Sequence, residues 1–178
     1  MSDIANRDQI DELLARQAIT DQLAVYCRGM DRIDVDLARS VFHPDAVADY
    51  GAMFRGSGYE FVQFIAEVHP AMETHVHHLG SISITVDGDH AGSETYVLAR
   101  LRSRNAEGEL SDTISHGRYV DRRERRQGIW RISHRRYLHA MYDTRPVVGA
   151  VFATDGTRDR TDPSYAALAD PAAHDPVR

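Results

Sequence analysis

From Arg7 to Met30 the apolar positions Ile10, Leu13, Leu14, Ile19, Leu23, Val25 and Tyr26 recur mostly at helical spacings, with no proline or glycine before Gly29. The pattern predicts one long helix, weakest near Gln17. Asp34 to Phe42, carrying Leu37, Ala38, Val41 and Phe42, reads as a short second helix stopped at His43-Pro44, because proline disfavours helix at the residue before it. Ala46 to Phe54 reads as a strand or tight hairpin bending at Gly51. A third helix is predicted from Tyr59 to about Val68, ending at His69-Pro70.

After residue 74 the period changes to two. Ile82, Ile84 and Val86 alternate with Ser81, Ser83 and Thr85, and Asp87-Gly88-Asp89 supplies a hairpin turn into Ala91 to Arg102. Turns at Asn105 to Gly108 and at Gln127-Gly128 bound two further strands, Leu110 to Arg123 and Trp130 to Tyr142. Three helices followed by four long antiparallel strands give an α+β domain, with the helices packed on one face of a curved sheet. From Asp143 onward, Pro146, Pro163 and Pro171 stand among Asp, Ala and Thr residues. This stretch, 143–178, is expected as an extended tail wrapping the surface or an oligomer partner, with disorder in its last ten or so residues.

With 178 residues, the chain fits a single domain, predicted to span 1–142. It has no run of apolar residues long enough for a membrane span and no cleavable leader, so it reads as soluble and unexported. The single Cys27 fits a reducing cytoplasm. A net charge of −6 gives no general attraction to nucleic acid or an anionic membrane. The one basic run, Arg122-Arg123-Glu124-Arg125-Arg126, is best read as a hairpin tip whose charges keep an edge soluble. No phosphate-binding glycine loop and no G-x-S-x-G elbow occurs, so nucleotide binding and serine hydrolysis lack their usual support.

The candidate chemistry lies in His75-Val76-His77-His78 and in Asp31, at the end of the first helix. A histidine held by a carboxylate is a general base that works near neutral pH. His75 and His77 would share a strand face, a spacing also used for metal ligands, but no third ligand is tied to them by spacing. No metal is assigned. Tyr26 precedes Asp31 by about 140° of helical rotation, close enough to line the same pocket. Its phenol could hydrogen-bond a substrate oxygen as charge develops there.

The order of these motifs resembles a known family. A helix ending Tyr-x-x-x-x-Asp, a strand with Asp-Tyr, a His-x-x-Gly opening the long sheet, an Asp-Gly-Asp hairpin and a closing Gly-x-Trp-x-Ile-x-x-Arg strand look like the SnoaL-like group of the nuclear transport factor two-like superfamily. The resemblance covers roughly residues 8–142. It implies a cystatin-like curved antiparallel sheet with three helices over it, enclosing a cone-shaped pocket. The motif pattern is most similar to the lyases of the group: scytalone dehydratase, the bile-acid 7α-dehydratase and hexachlorocyclohexane dehydrochlorinase. These imply cofactor-free removal of a carbon-bound proton by an Asp-supported His. By position, the resemblance places the acid on Asp31, the base on His77 and tyrosines on Tyr26 and Tyr50. The arginine at the leaving group falls on Arg135, with Phe54 in the apolar lining.

Two points stay open in the sequence. Simple alternation puts His78, not His77, on the face of Ile82, Ile84 and Val86; a bulge near Gly80 would reverse that parity and favour His77. Where scytalone dehydratase has a second histidine the chain has Arg100 and Leu101, and where the dehydrochlorinase has a helix lysine it has Tyr26. The implied activity is therefore a lyase or isomerase, of dehydratase or dehydrohalogenase type, acting on a small hydrophobic cyclic substrate without a cofactor. The alternative is a non-catalytic binding or assembly module of the same fold. Epoxide hydrolysis by an Asp-Arg-Asp set ranks below both, since no acid pairs with Arg100 or Arg102 in the next strand. The resemblance also implies a homo-oligomer, dimer or trimer.

Overall fold

The computed structural model describes residues 2–149 and 155–170, with side chains from residue 6 onward. The expectations for the last residues and for 150–154 lie outside the described residues. Helix α1 (Ser2–Asp31) runs unbroken past Gln17. It buries Ala15, Ile19, Leu23, Tyr26, Cys27 and Met30, spaced by three and four along one face. Ile10, Leu13 and Leu14 do not join that face: they are 49%, 67% and 61% exposed. No described helix is long and apolar enough to cross a membrane.

The second helix is shorter than the pattern suggests. It covers only Val35–Arg39 (α2), started by the Asp34 carboxylate, which accepts from the Leu37 N–H. Phe42 leaves it for strand β1 (Phe42–Asp49), where it lies beside Ile132 in a parallel pairing. Pro44 is tolerated in this strand because the ladder is irregular between Phe42 and Val47, so its missing N–H breaks no regular pair. The chain then turns at Gly51 (φ +66°) into β2 (Arg55–Ser57), completing a hairpin. Helix α3 (Gly58–Val68) opens with a reciprocal Ser57–Glu60 capping box and passes into a 3-10 turn at His69–Ala71.

Four long strands follow: β3 (Thr74–Asp87), β4 (His90–Arg104), β5 (Leu110–Arg126) and β6 (Ile129–Pro146). β6 continues past the expected end at Tyr142. The sheet order is β2-β1-β6-β5-β4-β3, antiparallel throughout except between β1 and β6. Bulges interrupt β3 between Leu79 and Ile82 and the β5–β6 ladder at two places, bending the long strands around the helices. A last helix, α4 (Pro163–Ala169), lies in the segment after β6.

Gly29 sets how closely α2 approaches α1. A Cβ there would stand 2.6 Å from the Ala38 nitrogen and 2.8 Å from its Cα, both backbone atoms that cannot rotate away. Alanine normally favours a helix over glycine by about 0.5–1 kcal/mol. Here overpacking, worth about 1–3 kcal/mol, outweighs that gain. Gly29→Ala is expected to lower the urea midpoint without changing its slope; an unchanged midpoint would show that α2 shifts freely.

Candidate active site

A cavity of about 160 Å³ opens between α1, α3 and the concave face of the sheet. A space of that size accommodates about one six-membered ring. Most of its wall is apolar or aromatic, including Met30, Phe61, Ile65, Val97 and Leu101. Met53 and Tyr142, 49% and 67% exposed, flank its mouth.

The bulge at Gly80 decides which histidine enters. His75, His77 and Leu79 point inward before it, and Ile82, Ile84 and Val86 after it, so the parity changes across the extra residue. His78 is exposed on the opposite face. His77 lines the cavity and donates twice to Asp31: Nδ1–H to Oδ1 at 2.6 Å and backbone N–H to Oδ2 at 3.1 Å. A carboxylate only accepts, so the Nδ1 proton is fixed toward Asp31 and Nε2 keeps a free lone pair. Asp31 ends α1, where the helix dipole disfavours an anion. These two hydrogen bonds and the charge of Arg158 offset that cost.

Two turns of α1 therefore supply two different groups. Tyr26, five residues before Asp31, lines the cavity, and its hydroxyl lies 2.7 Å from that of Tyr50. Burial pushes Tyr26 up to about 12 and Tyr50 well above the usual phenol value, so both are neutral donors. One hydroxyl proton is spent between them. The other remains for an acceptor in the cavity. Tyr50 is held in place by stacking on Phe61, with ring centroids 3.7 Å apart.

Arg135 is placed otherwise than expected. It is fully buried, but it does not line the cavity, and it is held by Asp121 through two hydrogen bonds of 2.8 and 2.7 Å. Its guanidinium carbon sits 4.3 Å from the Tyr26 ring centre and 4.0 Å from that of Tyr119. From there its charge opposes the upward shift of both phenols. Phe54 also lies one layer out, packed edge-on against Phe61 at 5.3 Å and absent from the cavity wall.

Several lining residues escaped the sequence reading. His69, from the 3-10 turn, enters the wall; burial first, and then His75, pushes it down to about 3, so it is neutral. On the far wall Ser115 lies 2.9 Å from the Tyr137 hydroxyl and 3.5 Å from His139 Nδ1. Ser115, Gly117 and Tyr119 alternate along β5, a signal that pointed inward once the strand was recognised. Gly117 is needed under Tyr137, because a Cβ would come within 2.4 Å of its ring and hydroxyl. His77, Ala99 and Ser115 are direct neighbours across β3, β4 and β5, so the dyad and the far wall are about 10 Å apart over one methyl group.

His75 offers no free ring nitrogen to a metal: Nε2 meets the Met30 carbonyl at 2.5 Å and Nδ1 meets Arg158 at 3.0 Å. The acid missing from the epoxide-hydrolase reading does exist. Asp112 binds both Arg100 and Arg102. Those arginines alternate with Ala99 and Leu101 of the cavity wall, so the cluster belongs to the other face of the sheet.

The SnoaL-like domain family matches residues 11–136, most of the chain. The chain belongs to the SnoaL-like family. No curated protein matches it. Among solved structures, it is similar to a type 2 hexachlorocyclohexane dehydrochlorinase (21% identity, TM-score 0.70), with 83% of this chain and 99% of that one covered. It is also similar to the type 3 enzyme of Novosphingobium barchaimii LL02, at 21% identity and TM-score 0.68, over 82% and 99% of the two chains. A protein of Novosphingobium aromaticivorans assigned as a scytalone dehydratase aligns at 21% identity and TM-score 0.65, over 82% and 95%. At these identities the likeness establishes the fold, and function has to be argued from the site.

Proposed function

We propose that this SnoaL-like protein is a cofactor-independent lyase or isomerase that removes a carbon-bound proton from a small hydrophobic cyclic substrate. The observation that carries this reading is the 2.6 Å His77–Asp31 hydrogen bond at the wall of an apolar cavity, with the Tyr26–Tyr50 phenol pair on the same wall system. His77 Nε2 takes the proton, and Asp31 balances the positive charge that the ring acquires. The C–H electron pair becomes the new double bond. In an elimination, hydroxide or halide leaves the neighbouring carbon with its own bonding pair, and a phenol hydroxyl hydrogen-bonds the developing anion. In an isomerisation the same proton returns at another carbon. The apolar walls keep water from competing for the proton.

The test is a panel of single-ring substrates bearing a hydroxyl, halogen or carbonyl next to an acidic C–H, followed by absorbance of the new double bond and by halide release. A substrate deuterated at that carbon should react more slowly than its light form. Tight binding across the panel without any turnover would favour the binding-module alternative.

A further inference from the structure

Residues 155–170 lie beyond the part of the chain matched by the family, yet they are tied down directly behind the dyad. Arg160 makes two hydrogen bonds of 3.1 Å to Asp34, and the Tyr165 hydroxyl donates to the same carboxylate at 2.7 Å. Arg28 covers the Tyr165 ring at 4.1 Å, and Asp162 pairs with Arg32 at 3.3 Å. These contacts fasten the segment as a strap over the junction of α1 and α2. Arg158 reaches inward from it. Its guanidinium donates to the Met72 carbonyl at 2.5 Å, the His69 carbonyl at 2.6 Å and His75 Nδ1 at 3.0 Å.

A guanidinium has no acceptor, so His75 Nδ1 must carry a lone pair and its proton must be on Nε2. Nε2 donates to the Met30 carbonyl, one residue before Asp31, and stands 3.9 Å from Asp31 Oδ1. The groups facing His75 are Asp31 from α1, His69 from the 3-10 turn, His77 from its own strand and Arg158 from the strap. Its neighbour across β4 is the apolar Leu101. A positively charged His75 would place a second cation beside the carboxylate that holds His77.

We propose that Arg158 is a positioning residue of the dyad: it locks His75 as the neutral Nε2–H tautomer, which pins the end of α1 and leaves Asp31 to His77. The proposal rests on the dyad reading above. Arg158 acts through His75 and meets no substrate. Burial first, and then the Arg158 charge, hold His75 down at about 4 against the pull of the Met30 hydrogen bond. Removing that charge lets His75 protonate at higher pH. The resulting imidazolium draws on Asp31 and withdraws it from His77.

The experiment is a two-bond nitrogen–proton correlation spectrum of the full ¹⁵N-labelled chain, titrated between about pH 4 and 8, for the wild type, Arg158→Met and Arg158→Lys. In the wild type, His75 should stay neutral and protonated on Nε2 through the neutral range. In Arg158→Met its titration should move up by about one pH unit or more, as expected when a nearby like charge is lost. Arg158→Lys, which keeps the charge and a donor, should restore most of the wild-type behaviour. With a turned-over substrate, Arg158→Met should lose kcat on the acid side of the profile while KM stays unchanged. A wild-type His75 that is charged or protonated on Nδ1 at neutral pH would overturn the proposal whether or not the variants fold. So would an Arg158→Met spectrum identical to the wild type. These spectra need no turnover, so they stand apart from the dyad reading, which fails if His77→Ala keeps full activity.

Discussion

His77→Ala should lower turnover by about 10²–10⁴-fold, the usual contribution of a positioned general base. Its KM should change little, because the ring contributes one edge of a wall that is mostly apolar or aromatic. Asp31→Asn should lose activity on a similar scale for a different reason. Asp31 accepts two hydrogen bonds from His77, one on each oxygen. An asparagine has one oxygen and an NH₂ where the carboxylate has two oxygens, so it can fill only one of the two acceptor positions. If it keeps the backbone N–H, its NH₂ faces Nδ1, and the imidazole turns to the tautomer whose Nε2 carries a proton into the cavity. That form cannot accept one. Losing one buried hydrogen bond should cost about 1–3 kcal/mol, so the variant still folds. For a chain of this size that is a fall of roughly 2–12 °C in melting temperature, at 2–4 °C per kcal/mol. Circular dichroism and steady-state rates on the same samples separate the two effects. Full turnover in both variants would end the proposed mechanism.

The parts of this site that were legible in the sequence sit on regular elements. Tyr26 and Asp31 lie on a helix whose apolar period is clear as far as Gly29, whereas Tyr50 enters through the resemblance alone. Elsewhere the facing of a side chain depends on a bulge. At Gly80 the sequence left two parities open, and only the register shift between Leu79 and Ile82 selects His77. On β6 the shift opposite Arg122 and Arg123 turns Arg135, Tyr137 and His139 inward after Trp130 and Ile132. One inserted residue reverses every side chain that follows, and it needs no distinctive composition to do so. Arg123 was hidden in another way. Inside the run Arg122 to Arg126 it looks like one more charge on a hairpin tip, and Arg125 and Arg126 do pair there with Asp89 and Asp45. Its partner lies two residues earlier on the same inward face of β5, with Ser93 of β4 beside it, and this explains why Arg123 is 1% exposed.

That partner, Asp121, gives the largest expected loss of stability. Asp121, Arg123 and Arg135 form a buried cluster in which one carboxylate serves two guanidinium groups, at 2.8 Å to Arg123 and 2.8 and 2.7 Å to Arg135. Burial opposes all three charges. It pushes Arg123 down to about 10, whereas the attraction of Asp121 keeps Arg135 raised. Asp121 is itself held below its usual value by Arg135 and Arg123, against its burial. Its folded value is thus lower than its unfolded one, about 3.9. The stability it contributes is present above that unfolded value and is lost as pH falls through the folded one. Asp121→Asn should cost about 3–5 kcal/mol at neutral pH, because two buried cations lose their counter-charge. At 2–4 °C per kcal/mol the melting temperature falls by roughly 6–20 °C, and the acid side of the stability curve flattens. An intact ion cluster often gives no more stability than apolar groups of the same volume. Replacing the three residues together by leucine and two methionines should therefore recover much of the loss. The same triple variant removes the charge that sits 4.3 Å from the Tyr26 ring. If that charge makes the Tyr26–Tyr50 pair a better donor, the variant will melt near the wild type yet turn over more slowly. Equal rates would show that the cluster only fills the space between the sheet and α1.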